Sequence, residues 1–205
     1  MSISIVVIDD HTEFRREMCV FFKEDPDFNI VGEGENGLTG VSLVKMKNPD
    51  IVLMDINMPD LNGMATTRLI LESNKNCKII ALTMHAELNF VAGMFEAGAH
   101  AYIMKDNIVK ELKKGIRSIM KGNLYLSRQI EKEVFQYFQK KMNKRIYTTL
   151  QPMNTLGEKV MDHFIQGQTG REIAESLSMK VQTVEKIHQK ILHNSIEFIK
   201  RTHCQ

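Results

Sequence analysis

The sequence predicts an α/β unit followed by a small all-α unit: a parallel sheet covered by helices on both faces, then a group of short helices. Three observations predict it. Over residues 1–122, short and nearly unbroken apolar runs alternate with longer amphipathic stretches, as strands buried on both faces do. Four of those runs end on polar residues able to do chemistry. Charge also changes along the chain: residues 1–122 hold 14 Lys/Arg and 17 Asp/Glu, residues 123–150 hold 6 and 2, and residues 151–205 hold 7 and 6. An acidic front joined to a mildly basic remainder suggests two jobs on one chain. The expected units are residues 1–122, a helical linker at 123–152, and residues 153–205.

Composition excludes several classes. Of 205 residues, 43% are apolar and 25% charged, which rules out collagen-like or wholly disordered chains. No run approaches a membrane span. Met1 to Ser4 carry no basic segment before the first apolar run, so no secretory signal is read there. Cys19, Cys77 and Cys204 are odd in number and scattered. That argues against a disulfide framework or a clustered-cysteine zinc site and fits a reducing, cytoplasmic setting.

The elements follow in order. Ile3 to Ile8 is rich in β-formers and stops at Asp9-Asp10. Phe14, Met18 and Phe21/Phe22 then share one helical face. Asn29 to Val31 is β-like, and Gly40 to Met46 reads as helix with Val41, Leu43 and Val44 near one stripe. Ile51 to Met54 stops at Asp55; Pro59 and Gly63 bracket the loop after it, where a fixed and a permissive φ shape a turn. Ile79 to Leu82 stops at Thr83, and Ala101 to Met104 at Lys105. Ile108, Leu112, Ile116 and Ile119 recur at helical spacing.

In parallel α/β sheets ligands bind beyond the carboxyl ends of the strands. Asp9, Asp10, Asp55, Thr83 and Lys105 should therefore converge. Crowded carboxylates repel and call for a cation, and hard oxygen ligands with room for water suit Mg²⁺. A carboxylate nucleophile with Mg²⁺, a hydroxyl and a lysine is equipment for accepting a phosphoryl group. Any one of these residues alone could simply mark a strand end.

The segments Val6-Val7-Ile8-Asp9-Asp10-His11, Val52-Leu53-Met54-Asp55-Ile56-Asn57-Met58-Pro59, Ala81-Leu82-Thr83-Met84-His85 and Tyr102-Ile103-Met104-Lys105-Asp106 resemble the receiver domain of two-component response regulators. The resemblance spans residues 1–122 and implies a flavodoxin-like five-stranded sheet of order 2-1-3-4-5. It implies that Asp55 is the phosphoacceptor and that Mg²⁺ is held by Asp9, Asp10, Asp55 and the backbone carbonyl of Asn57. Thr83 and Lys105 would bind the phosphoryl group, donated by a sensor histidine kinase. Tyr102 would rotate inward as Thr83 moves onto the phosphoryl group. Receivers of this type commonly pair through the face around Phe90, Val91, Tyr102 and the 107–121 helix.

In the linker, Ser127 is a plausible N-cap. Ile130, Val134, Phe138 and Met142 make one apolar stripe over Arg128 to Met142, expected to pack within the chain. Lys140-Lys141-Met142-Asn143-Lys144-Arg145 is a basic cluster, either a solvated face or a phosphate contact. Tyr147 to Pro152 reads as loop.

Beyond it, Val160, Met161, Phe164 and Ile165 form a helical face, and Gly167 stops that helix. Thr169-Gly170-Arg171-Glu172 matches a capping box, opening a short helix with Ile173, Ala174 and Leu177. After the turn Ser178-Met179-Lys180, a third helix carries Val184, Ile187 and Ile191. Two short helices across a brief turn read as a helix-turn-helix. The spacing from Gly167 to Ile191 resembles the LuxR-type DNA-binding domain. With the receiver, the chain resembles the NarL/FixJ class of transcriptional response regulators. Met153 to Gly157, Lys180, Glu185 and Asn194-Ser195 depart from that family's pattern.

At about 100° per residue, Gln182, Lys186, Gln189 and His193 lie opposite the apolar stripe of the third helix, with Thr183, Glu185 and Lys190 beside them. Gln pairs with adenine, and Lys contacts guanine or phosphate; an ordinary solvated face would look the same. A short fourth helix through Ile196 and Ile199 is possible. No second set of catalytic residues is visible, so a free-standing enzyme is not expected. The reading is a phosphorylation-controlled regulator of promoter DNA, paired at least when phosphorylated. The alternative is a phospho-gated protein-binding regulator whose helix-turn-helix no longer reads DNA.

Overall fold

The structure, a computed structural model, describes residues 2–142 and 155–203. Asn143 to Arg145 of the basic cluster, the Tyr147 to Pro152 loop and Met153-Asn154 lie outside the described residues, as does the side chain of Met142. Strands and helices alternate through the first half: β1 (Ile3–Ile8), α1 (Thr12–Lys23), β2 (Phe28–Gly34), α2 (Gly37–Lys47), β3 (Ile51–Asp55), α3 (Gly63–Ser73), β4 (Lys78–Thr83), α4 (Leu88–Glu96), β5 (Ala101–Met104) and α5 (Ile108–Met120). Every strand pairing is parallel. Successive side chains of a strand point to opposite faces, and each face has its own core. Ile5, Val7, Ile51, Leu53, Ile80 and Ile103 meet Met18 and Phe22 of α1 and Leu112, Ile116 and Ile119 of α5. Val6, Ile8, Val52, Met54, Ile79 and Ala81 meet Val44 of α2, Ile70 of α3 and Val91, Ala92 and Met94 of α4.

The expected order 2-1-3-4-5 is present and gains a sixth strand, β6 (Tyr125–Leu126), from the linker. Tyr125 and Leu126 pair with Ala101 and Tyr102. The Ser127 N–H donates to the Tyr102 carbonyl (2.9 Å), and the Met104 N–H donates to Ser127 Oγ (2.8 Å). Backbone groups at a buried edge need partners, and the linker supplies them. Two residues are too few to show a period in sequence. The Ser127 hydroxyl, expected at the start of the linker helix, thus turns inward; the Arg128 N–H instead donates to Glu111 Oε1 (3.2 Å).

The linker helix α6 (Arg128–Met142) buries Ile130, Val134 and Phe138, and Phe135 beside them. They pack within the chain, in one core with α7 (Thr155–Ile165), α8 (Gly170–Ser176) and α9 (Val181–His203). Gly167 adopts φ +87° after α7, a conformation that favours glycine. Thr169 and Glu172 form the capping box. The third helix does not stop at Asn194-Ser195: α9 runs on through His203, so third and fourth helices are one. No Gly or Pro interrupts it, and Leu192, Ser195, Ile196, Phe198 and Ile199 continue the buried face.

That core is continuous with the sheet face carrying α2, α3 and α4, because α9 packs along α4. Lys200 Nζ lies 3.6 Å from Glu96 of α4 and 2.8 Å from Glu197. Among the described residues no helix is long and apolar enough to cross a membrane.

Candidate functional site

The parallel register aligns the strand ends: Ile8 pairs with Met54, Asp55 with Leu82, and Thr83 with Met104. Asp9, Asp10, Asp55, Thr83 and Lys105 all leave the sheet at that end. Asp9, Asp55 and Thr83 are buried. Lys105 Nζ bridges the carboxylates, 2.7 Å from Asp9 Oδ2 and 2.6 Å from Asp55 Oδ1, with its charge 4.5 Å over the Phe14 ring. Burial pushes the Asp55 carboxyl above the usual carboxylate range; Lys105 pulls the other way, while Asp9 and Asp10 add to the rise. Burial works against the Lys105 charge, yet the hydrogen bonds it donates to Asp55 and Asp9 outweigh it and hold its pKa above the ordinary lysine value.

Gly63 is required where it stands. A Cβ there would collide with the Asp55 carbonyl and with the Ile56 backbone at 2.9 Å. The Gly63 N–H donates to the Ile56 carbonyl (3.0 Å), and Asn62 caps α3 through the Ala65 N–H (3.0 Å). The exposed Asn57 sits in the loop so held, two residues after Asp55.

Thr83 Oγ1 accepts the His85 N–H at 2.9 Å. The Tyr102 hydroxyl donates to the His85 carbonyl at 3.0 Å. The Tyr102 ring, expected to swing inward on switching, is already fully buried, and β6 runs along its strand. Two ends of one peptide segment are thus held by the hydroxyl and the tyrosine, immediately before α4.

The acidic corner suits a divalent cation. Asp9 Oδ2 and Asp10 Oδ1 are buried, with Lys105 Nζ 2.7 Å from the first and His11 Nδ1 2.8 Å from the second. Asp9, Asp10 and His11 form a group whose ligand atoms lie within 4.8 Å of one another.

On α9, Val184 and Ile191 face inward as the stripe predicts. Gln182, Thr183, Glu185, Lys186, Lys190 and His193 are exposed. Gln189 is not: its Oε1 accepts the Leu124 N–H (3.0 Å) and its Nε2 donates to the Leu124 carbonyl (3.3 Å). The residue before it, His188, meets Glu131 of α6 (Nε2 to Oε2, 2.8 Å) and packs on Phe164. Sequence reasoning left His188 and Glu131 without a role. They are 57 positions apart, and no local pattern links them. The expected pairing face is partly taken within the chain, since α9 lies on α4 and Val91 is fully buried.

The family model described as response regulator receiver domain matches residues 5–117. The transcriptional regulatory protein DegU of Brevibacillus brevis is 28% identical, over 93% of this chain and 86% of its own. The uncharacterized transcriptional regulatory protein YhcZ of Bacillus subtilis is 32% identical, over 97% and 91%. The crystal structure of a LuxR-family two-component response regulator from Aurantimonas is 28% identical, with TM-score 0.61, over 72% of this chain and all of that one.

Proposed function

Since the chain belongs to the response regulator family, by a receiver domain matched over residues 5–117, we propose that Asp55 accepts a phosphoryl group and so controls DNA binding by α8 and α9. The observation that carries this reading is the Lys105 bridge between Asp9 and Asp55 at the strand ends. It sets a fixed cation between the Asp55 carboxylate and one further buried carboxylate, which supports Asp55 as the nucleophile. A sensor histidine kinase is the donor. An Asp55 oxygen forms the bond to phosphorus as the bond to the donor's histidine nitrogen breaks. Lys105 and Thr83 then hold the phosphoryl oxygens. Asp9, Asp10, Asp55 and the Asn57 carbonyl are the proposed holders of Mg²⁺, which when bound neutralises charge on the carboxylates and phosphoryl oxygens.

Transcriptional regulators among the relatives support promoter DNA as the target. Gln182, Thr183, Glu185, Lys186 and Lys190, with His193, form the proposed reading face. Gln189 belongs to it only once its amide has left Leu124, because one amide cannot bracket a peptide and a base edge together. Thr83 supplies the trigger in this scheme: on moving to the phosphoryl group it releases the His85 N–H. The segment between His85 and α4 then shifts beneath α9. Freed C-terminal units can pair on half-sites about one helical turn apart. The test is phosphorylation with a small phosphodonor, followed by DNA binding, for the wild type and Asp55→Asn. Labelling of Asp55→Asn at the wild-type level would end the assignment.

A further inference from the structure

We propose that His11 Nδ1 is an additional ligand of the receiver's divalent cation, and that it tilts this site from Mg²⁺ towards first-row transition ions. The inference rests on the metal reading above and concerns a residue that reading does not use.

His11 stands at the N-cap of α1 with extended backbone (φ −83°, ψ 105°), yet its side chain makes no capping hydrogen bond. Helix starts favour Ser, Thr, Asp or Asn because those side chains satisfy free N–H groups. Here the imidazole turns the other way. Nδ1 lies 2.8 Å from Asp10 Oδ1 and 3.3 Å from Asp9 Oδ1. The His11 N–H donates to the same Asp9 oxygen at 3.0 Å, which fixes the turn and the carboxylate together. Lys105 takes the other Asp9 oxygen and one oxygen of Asp55. One edge of the cluster is therefore left to His11: Asp9 Oδ1, Asp10 Oδ1 and Nδ1.

The spacing fits coordination. Adjacent ligands of an octahedral ion held at about 2.1 Å lie about 3 Å apart, and both Nδ1 separations fall near that value. The chemistry sets the preference. Mg²⁺ takes oxygen donors and gives up water reluctantly, whereas Co²⁺, Ni²⁺ and Zn²⁺ accept imidazole nitrogen more readily. The rival role for the ring is a simple hydrogen bond to Asp10. In that case removing it frees an Asp10 oxygen and leaves ion preference unchanged.

The experiment is calorimetric titration of the full chain with Co²⁺ and with Mg²⁺, for wild type, His11→Ala and Asp10→Asn. Binding lost in Asp10→Asn defines the site and separates it from other histidines. Sub-stoichiometric Mn²⁺ is added in a parallel imidazole NMR experiment. The expected result is a loss of about tenfold or more in Co²⁺ affinity for His11→Ala, a change below about threefold for Mg²⁺, and broadening of the His11 ring first by Mn²⁺. Equal changes for both ions, or none, overturn the His11 assignment and leave the acidic site standing. If wild type binds neither ion, or Asp10→Asn binds both as wild type does, the metal reading falls and the His11 assignment with it.

Discussion

At the scale of single residues, the site is a balance of buried charge. Asp55 is held with its proton more tightly than in an unfolded chain, because burial and the neighbouring carboxylates outweigh Lys105. A carboxyl raised in the native state lends its full stabilisation below the unfolded carboxylate pKa, and that stabilisation is lost as pH climbs through the raised native value. Asp55→Asn should therefore be more stable than wild type at neutral pH, with the difference closing below about pH 4. Thermal melts of both proteins across pH check this; a less stable Asn variant at pH 7 contradicts it. Lys105→Met leaves Asp9 and Asp55 facing each other without their bridging cation. Losing one partner of a buried charge pair costs about 3–5 kcal/mol. Urea unfolding should show that loss, and added Mg²⁺ should return part of it by replacing the cation. These residues were legible in the sequence because each terminates an apolar run. The roles of His11 and Gln189 were not, because they depend on where a side chain turns after the backbone is built.

At the scale of elements, strands and caps announced themselves and junctions did not. The Thr169 capping box is a four-residue pattern with its own hydrogen bonds; Thr169→Ala should cost about 1 kcal/mol, read from the stability of the full chain. The α6 stripe was legible as a period, and Phe135, off that stripe, was not. It is fully buried against Phe164 and His188. Phe135→Ala should cost about 3–5 kcal/mol, whereas a residue important only to α6 itself would cost far less. Strand β6 was hidden because two residues carry no period. The unbroken α9 was hidden because Asn194-Ser195 stands where the family ends its third helix, although neither residue breaks a helix. Lys186→Ala combined with Gln182→Ala should weaken DNA binding and flatten its salt dependence; unchanged affinity would remove the exposed face of α9 as the reader.

At the scale of the whole molecule, the receiver and the helical unit share one core through α4, β6 and α9. The same α9 carries the exposed face proposed to read DNA and, through Gln189, the bracket on Leu124. Phosphorylation and DNA binding are then two demands on one helix. Charge is consistent with this division, since the acidic half holds the proposed phosphoacceptor and the remainder is only mildly basic, so selective reading has to come from base contacts rather than charge alone. The most direct test is fluorescence anisotropy of the full chain against genomic DNA fragments at physiological salt, with and without beryllofluoride as the phosphoryl mimic. The account predicts sequence-selective binding that tightens with the mimic in wild type and does not in Asp55→Asn. Binding that is unselective and erased by salt, or indifferent to the mimic, would contradict it and point to a protein partner for the C-terminal helices.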